Sequence, residues 1–247
     1  MKNTLFFLVN TACDIACKYC FYTTGHEVRD GKRFNMDLLE SFIHRLTLLG
    51  FQTVIISGGD PLNRRSKYDT YTLVKELKAA NIRVIINTSG AYLDVKDCAM
   101  LIECNPDRID FSIDSHIEQI HNGMRGRFKD TIGAICYLVA HGYTSIVTTT
   151  VVTVENMDTL DETLAYLSSL GVKDRRIQPA FVPHVSGARS LGNLRPIISN
   201  KLRSTLEELA TTSEDPVNTG RYHRLWEKYF GDPILEYDLL DNAKPFC

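Results

Sequence analysis

A chain of 247 residues, with 44% hydrophobic content and a formal net charge of −2, is long enough for one large core, and single α/β barrels reach this size. Its charge is balanced, with no long run of one sign, which excludes a broad electrostatic surface for nucleic acid. The apolar run Leu5–Val9 is too short for a signal core, nothing approaches membrane-spanning length, and Asn10 stands where a lipoprotein signal would want Leu before Thr11-Ala12-Cys13, so a cytosolic protein with no membrane or nucleic-acid partner is expected.

In chain order, the first β-rich run is Thr4–Asn10, followed by a loop holding Cys13, Cys17 and Cys20. Helical apolar spacing over Met36–Leu49 stops at Gly50, and a second strand, Thr53–Ser57, runs into the turn SGGDP at 57–61. A helix over Tyr68–Ala80 leads to a strand over Arg83–Asn87 and the turn NTSG at 87–90. A helix over Val95–Glu103 leads to a strand over Arg108–Ile113, which closes on Ser112 and Asp114. Then come a helix over Lys129–His141, a strand over Ser145–Thr153, a helix over Met157–Leu170 and a sixth strand over Arg176–Phe181, with Gly142 and Gly171 marking the helix stops. Val182–Pro196 reads as a loop, and further helices are expected near Ser199–Thr211 and Arg221–Tyr229. The short basic clusters Arg64/Arg65 and Lys173/Arg175/Arg176 read as solvated surface.

Six strands alternating with helices imply right-handed βαβ crossovers and a parallel sheet, either open and doubly wound or curved into a partial barrel. The expected organisation is a core over residues 1–182 and a C-terminal loop and helical extension over 183–247 that covers the barrel mouth. Polar and glycine-rich segments follow each of the first four strands. Ligands bind at the carboxyl ends of strands in such folds, so these segments are expected to face one pocket.

Seven cysteines in a chain with no export signal argue against a disulfide framework and for thiol ligands where they cluster. Cys13, Cys17 and Cys20 are separated by three and then two residues. Such thiolates can hold zinc or an iron–sulfur cluster. A structural zinc site would want a fourth ligand, for which His26 is the near candidate, whereas a four-iron cluster on three thiolates leaves one iron open for a small molecule.

The loop CDIACKYC, with Tyr19 before its last cysteine, resembles the radical S-adenosylmethionine (SAM) superfamily. SGGDP is similar to that family's GGEP segment, NTSG to its TNG segment, and IDFSIDS followed by GMRG to the serine, aspartate and arginine pattern of its peptide- and sugar-modifying branches. The resemblance covers roughly residues 4–180. It implies a partial (β/α)6 TIM-type barrel in which Cys13, Cys17 and Cys20 hold a [4Fe-4S] cluster. The open iron would chelate SAM, whose reductive cleavage gives a 5'-deoxyadenosyl radical that abstracts substrate hydrogen. An external electron donor of the flavodoxin or ferredoxin type is implied with it.

The same resemblance suggests roles for single residues. The backbone at Gly58, Gly59 and Asp60 would meet the SAM amino group, with Asp60 in place of the usual Glu. Ser89 stands where the family often has Asn. Arg125 offers a planar fork for the SAM carboxylate, and Ser112 a hydroxyl for the cofactor or its ribose. Neighbouring Arg127 reads as surface. Asp114 would face ribose or substrate, or close a strand. Asn156 is either a ligand on the adenine or ribose side or a helix N-cap. Tyr19 would pack near adenine, while Phe21 and Tyr22 read as core.

Cys98, Cys104 and Cys136 read as buried apolar residues, the first two not sharing one helix face. Cys247 is a candidate thiol hydrogen donor that would quench a substrate radical. With no cysteine after it, a single cluster is expected. The first functional reading is therefore a radical enzyme acting on a small metabolite or peptide, the former favoured. The alternatives are an activating enzyme for a glycyl radical protein, although IDFSIDS lacks the lysine of that branch, and a zinc-binding interaction module.

Overall fold

The computed structural model describes residues 3–20 and 31–180, with Ser204, Thr205 and Glu208. Six parallel strands lie in sequential order: β1 (Thr4–Asn10), β2 (Thr53–Gly58), β3 (Arg83–Thr88), β4 (Arg108–Ser112), β5 (Ile146–Val152) and β6 (Asp174–Pro179). Each pairs with the next and β1 does not meet β6, so the sheet is a partial barrel. The crossovers are carried by α1 (Leu39–Leu48), α2 (Lys67–Ala79), α3 (Val95–Cys104), the pair α4 (Glu118–Met124) and α5 (Phe128–Ala140), and α6 (Leu160–Ser169). Single turns of tighter helix, Met36–Leu38 and Met157–Thr159, precede α1 and α6.

Local chemistry accounts for these boundaries. Asp94 opens α3 with a reciprocal box: its carboxylate accepts the Asp97 N–H, while the Asp97 carboxylate accepts the Asp94 N–H. Gly50, Gly142 and Gly171 take left-handed backbone at the expected stops. Most boundaries shift by one to three residues from the sequence reading. β4 ends at Ser112, although the Ile113 N–H still donates to the Thr149 carbonyl of β5, and β6 starts at Asp174, where Asp174 and Arg175 pair with Val147 and Thr148.

The period of two divides the sheet into faces. Val54, Ile56, Val84, Ile86, Ile109, Phe111 and Ile146 lie in one core with Leu73, Val74 and Leu77 of α2, Leu101 of α3, and Ile135 and Leu138 of α5. The opposite, concave face carries the residues in the alternate register. These include Phe6 and Leu8, which remain 56% and 45% exposed, and at the other side Asp110 and Arg176. There Arg108 pairs with Asp110 (2.6 Å) and Arg176 with Asp174 (2.9 Å), with Arg176 also 3.5 Å from Asp110. Arg176 is therefore not solvated surface as its basic cluster suggested: strand alternation turns it onto the concave face, where its side chain is 11% exposed.

Cys98 and Cys104 are both buried in the core, because Cys104 closes the last turn of α3 and its thiol approaches the Tyr71 carbonyl. Cys136 is exposed, contrary to expectation, since it lies on the outer side of α5 away from Ile135 and Leu138. No helix among the described residues is long and apolar enough to cross a membrane. Ser204, Thr205 and Glu208 are helical within the segment expected to be so, and the Thr205 hydroxyl donates to Asp161 of α6. The loop at 182–196, the helix at 221–229, the end of the sixth strand at Phe181, and Phe21, Tyr22, His26 and Cys247 lie outside the described residues.

Candidate radical SAM site

β1 delivers the cysteine loop at the carboxyl end of the sheet, and a register shift between Leu8 and Asn10 bends the strand as it leaves β2. Beside it, Gly58 and Gly59 explain themselves sterically. A Cβ on Gly58 would stand 2.4 Å from the Asn10 carbonyl oxygen, and one on Gly59 would stand 2.1 Å from that of Ala12. Gly58 also has φ +145°, a conformation side chains avoid. The close approach that requires glycine is thus made by the chain's own Asn10–Ala12 backbone. The Gly59 and Asp60 N–H groups are donated to the Asn10 and Ala12 carbonyls (3.0 and 2.8 Å), so these donors are spent within the chain.

Asp60 ties this turn to the next. Its buried carboxylate accepts from the Leu62 N–H (2.9 Å), the Thr88 hydroxyl (2.8 Å), and both the N–H (2.9 Å) and the hydroxyl of Ser89. The Ser89 hydroxyl is therefore turned into the protein rather than toward a ligand. Below them Asn10 donates to the Asp60 carbonyl and to the Ser66 hydroxyl, which Asn63 also reaches.

Across the loop lies a second brace. Asp114, fully buried, accepts from the Tyr19 hydroxyl, from Arg125 Nε (3.1 Å) and from the Val151 N–H (3.1 Å). Arg125 Nη2 donates to the Tyr19 oxygen (2.5 Å), closing a triangle that locks the penultimate residue of the cysteine motif to β4 and to the end of α4. Of the five guanidinium N–H groups of Arg125, two are used in this way and three stay free among the described residues. Burial disfavours the Arg125 charge, but Asp114 and Tyr19 outweigh it and hold the group firmly protonated. The Tyr19 phenol is pushed well up, by burial first.

Two further residues serve this brace. Asn156 donates to the Asp114 carbonyl (2.6 Å) and the Val151 carbonyl (2.9 Å) and accepts from the Thr153 N–H (2.8 Å). It stands at the N-cap position, but its side chain does not cap the helix turn. His121 was not visible as a site residue. Its Nδ1 accepts the Asp114 N–H (3.2 Å), so its Nε2 carries the proton that faces the Gly126 carbonyl (3.2 Å). The signal that could have found it is its place four residues before Arg125, one helical turn. α4 itself was missed, since seven residues containing Asn122 and Gly123 carry no apolar period. Ser112, by contrast, is half-buried, and its hydroxyl makes no hydrogen bond among the described residues.

The loop is pinned at intermediate points as well. The Asp14 carboxylate accepts the Arg64 N–H (2.7 Å), the Lys18 N–H donates to the Met124 carbonyl (2.9 Å), and Lys18 Nζ pairs with Glu155 (2.8 Å). Ile15, Cys17 and Ala91 form a small buried group against which Cys13, Cys20, Tyr19 and Tyr92 pack.

This arrangement fits a cluster better than a single ion. None of the three cysteines is in a disulfide. Among the described residues no three His, Cys, Asp or Glu side chains gather closely enough to hold one ion. A structural zinc needs every ligand within about 2.3 Å of one centre, while a cubane takes each thiolate on a different iron and needs them spread apart. Burial pushes the Cys13 thiol up to about 12, with Asp60 adding, and the Cys17 thiol up to about 11, against the pull of Arg125. Bound iron would supply the positive charge that lets such thiols ionise.

The comparisons with known proteins agree. The model of the radical SAM superfamily matches residues 7–167. The mycofactocin maturase MftC of Mycolicibacterium smegmatis is 27% identical over 173 residues, covering 68% of this chain and 43% of that protein. An AdoMet-dependent heme synthase of Methanosarcina barkeri is 26% identical over 166 residues, covering 66% of this chain and 46% of that one. Among solved structures, anSMEcpe with bound AdoMet and the Cp18Cys peptide aligns with a TM-score of 0.70 at 16% identity, over 85% of this chain and 60% of that chain. SuiB of Streptococcus suis bound to precursor peptide SuiA aligns with a TM-score of 0.67 at 15% identity, over 85% and 46%. The chain thus spans less than half the length of the two curated relatives it matches. With the family model matching well over half of its residues, the chain belongs to the radical SAM superfamily, whose members use a [4Fe-4S] cluster and SAM.

Proposed function

We propose that the chain is an enzyme in which Cys13, Cys17 and Cys20 hold a [4Fe-4S] cluster, and which uses SAM to abstract a hydrogen atom from a peptide or small-molecule substrate. When bound, cluster and SAM together supply reductive carbon–sulfur cleavage to 5'-deoxyadenosine and its radical precursor. The remaining work is positional. The Gly58–Asp60 turn and the Tyr19–Asp114–Arg125 triangle fix both ends of the cysteine loop. Arg125 keeps three donors for a carboxylate, Ser112 keeps a free hydroxyl, and the carbonyls of the glycine turn suit an amine. That double clamp of a three-cysteine loop at the carboxyl end of six parallel strands is the observation that carries the proposal.

The substrate class supported best is a peptide. Relatives named above are a maturase and enzymes solved with peptides, and the concave face carries exposed Phe6 and Leu8 at one side and the Arg108–Asp110–Arg176–Asp174 network at the other. A small metabolite is the second reading, favoured by the heme synthase at similar identity. In either case residues 183–247 are proposed to cover the mouth, and a flavodoxin- or ferredoxin-type protein to deliver the electron.

The test is anaerobic reconstitution followed by iron analysis and 5'-deoxyadenosine assay with dithionite. About four irons per chain are expected, and replacing Cys13, Cys17 or Cys20 by alanine should remove iron and SAM cleavage together. Stoichiometric zinc without iron, or a cysteine variant with full cluster and SAM cleavage, would overturn the proposal.

A further inference from the structure

Outside the clamp, one surface feature stands directly on the cysteine loop. The Tyr92 ring packs against the group formed by Ile15, Cys17 and Ala91, beside Cys13 and Cys20. A guanidinium lies over each of two approaches to that ring: Arg64 at 4.3 Å from its centroid and Arg127 at 4.0 Å. Bringing two cations to one aromatic plate sets like charges near each other, and the fold holds them there by carboxylates placed underneath. Asp14 accepts the Arg64 N–H and lies 3.5 Å from its Nε. Asp130 pairs with Arg127 and accepts the Tyr92 N–H.

The exposures show which sign faces outward. Arg64 and Arg127 side chains are 60% and 43% exposed, against 14% for Asp14 and 23% for Asp130. Arg65, also exposed, makes no ion pair among the described residues. The backbone is strained for this purpose as well: Tyr92 and Arg127 both have positive φ, 58° and 63°, which bulky residues rarely adopt. Nothing in the two braces uses Tyr92, Arg64 or the Arg127 side chain. The sequence reading of Arg64 and Arg127 as plain surface explains their exposure but neither the stacking nor the strain.

We infer that this Arg64–Tyr92–Arg127 plate is the docking surface of an acidic one-electron carrier protein, which reaches the cysteine loop through it. The inference rests on the radical SAM reading, which requires an electron from outside. One electron would pass from the reduced carrier, which is oxidised by losing it, to the iron centre, which is reduced by gaining it; no proton or group crosses the surface. The exposed guanidinium forks receive the carrier's carboxylates, and their field steers its approach.

The experiment compares 5'-deoxyadenosine formation by the reconstituted full chain with two reductants: dithionite, and an acidic flavodoxin supplied with its reductase and NADPH. In the variant carrying Arg64→Gln and Arg127→Gln, the flavodoxin-driven rate should fall about tenfold and lose most of its salt dependence. The iron content and the dithionite-driven rate should stay unchanged. Arg64→Glu alone, at one exposed position, should lower only the flavodoxin-driven rate. An unchanged flavodoxin rate, or an equal fall with both reductants, overturns the docking surface while leaving the radical SAM reading intact. A wild-type chain that yields no 5'-deoxyadenosine with dithionite overturns that reading, and the docking surface with it.

Discussion

Replacing Gly59 by alanine asks whether the glycine pair serves the cysteine loop. The added Cβ would stand 2.1 Å from the Ala12 oxygen, 2.5 Å from the Ala12 carbon and 2.8 Å from the Thr11 oxygen, where real contacts stay beyond 3.0 Å. The Thr11–Ala12 peptide must therefore retreat by about 0.9 Å, the difference between 3.0 and 2.1. It is not free to do so, being tied by Thr11 N–H to the Lys32 carbonyl and by its own Ala12 carbonyl to the Asp60 N–H at 2.8 Å. Overpacking costs about 1–3 kcal/mol, and loss of the Asp60 hydrogen bond about 1 kcal/mol more. The next residue is Cys13, and metal ligation tolerates only about 0.2 Å of misplacement. The variant should therefore unfold about 2–4 kcal/mol more easily in its iron-free form and should take up well under half of the wild-type iron on anaerobic reconstitution. Gly133→Ala is the control. A Cβ there, within α5, meets nothing within 4 Å, so stability should rise by about 0.5–1 kcal/mol with iron unchanged. Full iron uptake by Gly59→Ala, with an unaltered spin-resonance spectrum of the reduced cluster, would refute the reasoning.

The other braces give sharper stability predictions, each read by urea unfolding of the iron-free chain. Asp114→Asn leaves Arg125 buried without its counter-charge and should cost about 3–5 kcal/mol; Arg125→Met in the same background should recover part of it, giving a coupling above about 1 kcal/mol, and additive costs would count against the triangle. Asp60→Ala strands the buried Ser89 N–H and Thr88 hydroxyl and should cost about 1–3 kcal/mol; a neutral result would mean that those groups find other partners. Burial lowers the His121 imidazole to about 4, with Asp114 opposing. Folding therefore favours its neutral form, and the unfolded chain binds the extra proton between about pH 6.5 and 4. The stabilisation is complete above that window and is lost as pH falls through it, by up to about 1.4 kcal/mol per unit. His121→Asn should flatten this part of the stability profile, and an unchanged slope would place the titration elsewhere.

Which parts of this were legible in the sequence follows from the range of the interactions concerned. Strands and helices were readable because apolar period and glycine stops are local, and among the described residues α1, α2, α3, α5, α6 and the six strands stand within a few residues of their expected places. α4 escaped because its work is done by His121 and by its last turn rather than by an apolar stripe. Cys136 and Arg176 were misjudged for a related reason: composition gives a residue's character, but the face it occupies depends on phase within its element.

The site shows a deeper limit. Glycines 58 and 59 announce a close approach without saying to what, and the partner is the chain's own Asn10–Ala12 backbone. Asp114 and Asn156 read in the sequence as candidate ligands and Asp60 as a backbone contact, and the fold engages their side chains with Arg125, Val151 and Ser89 respectively. Among the described residues three N–H groups of Arg125 and the Ser112 hydroxyl are uncommitted, while the Asp60 carboxylate already accepts four hydrogen bonds and that of Asp114 three. What distinguishes the two sets is a web of contacts between residues as far apart as Tyr19 and Asp114, which the fold creates and no local pattern contains.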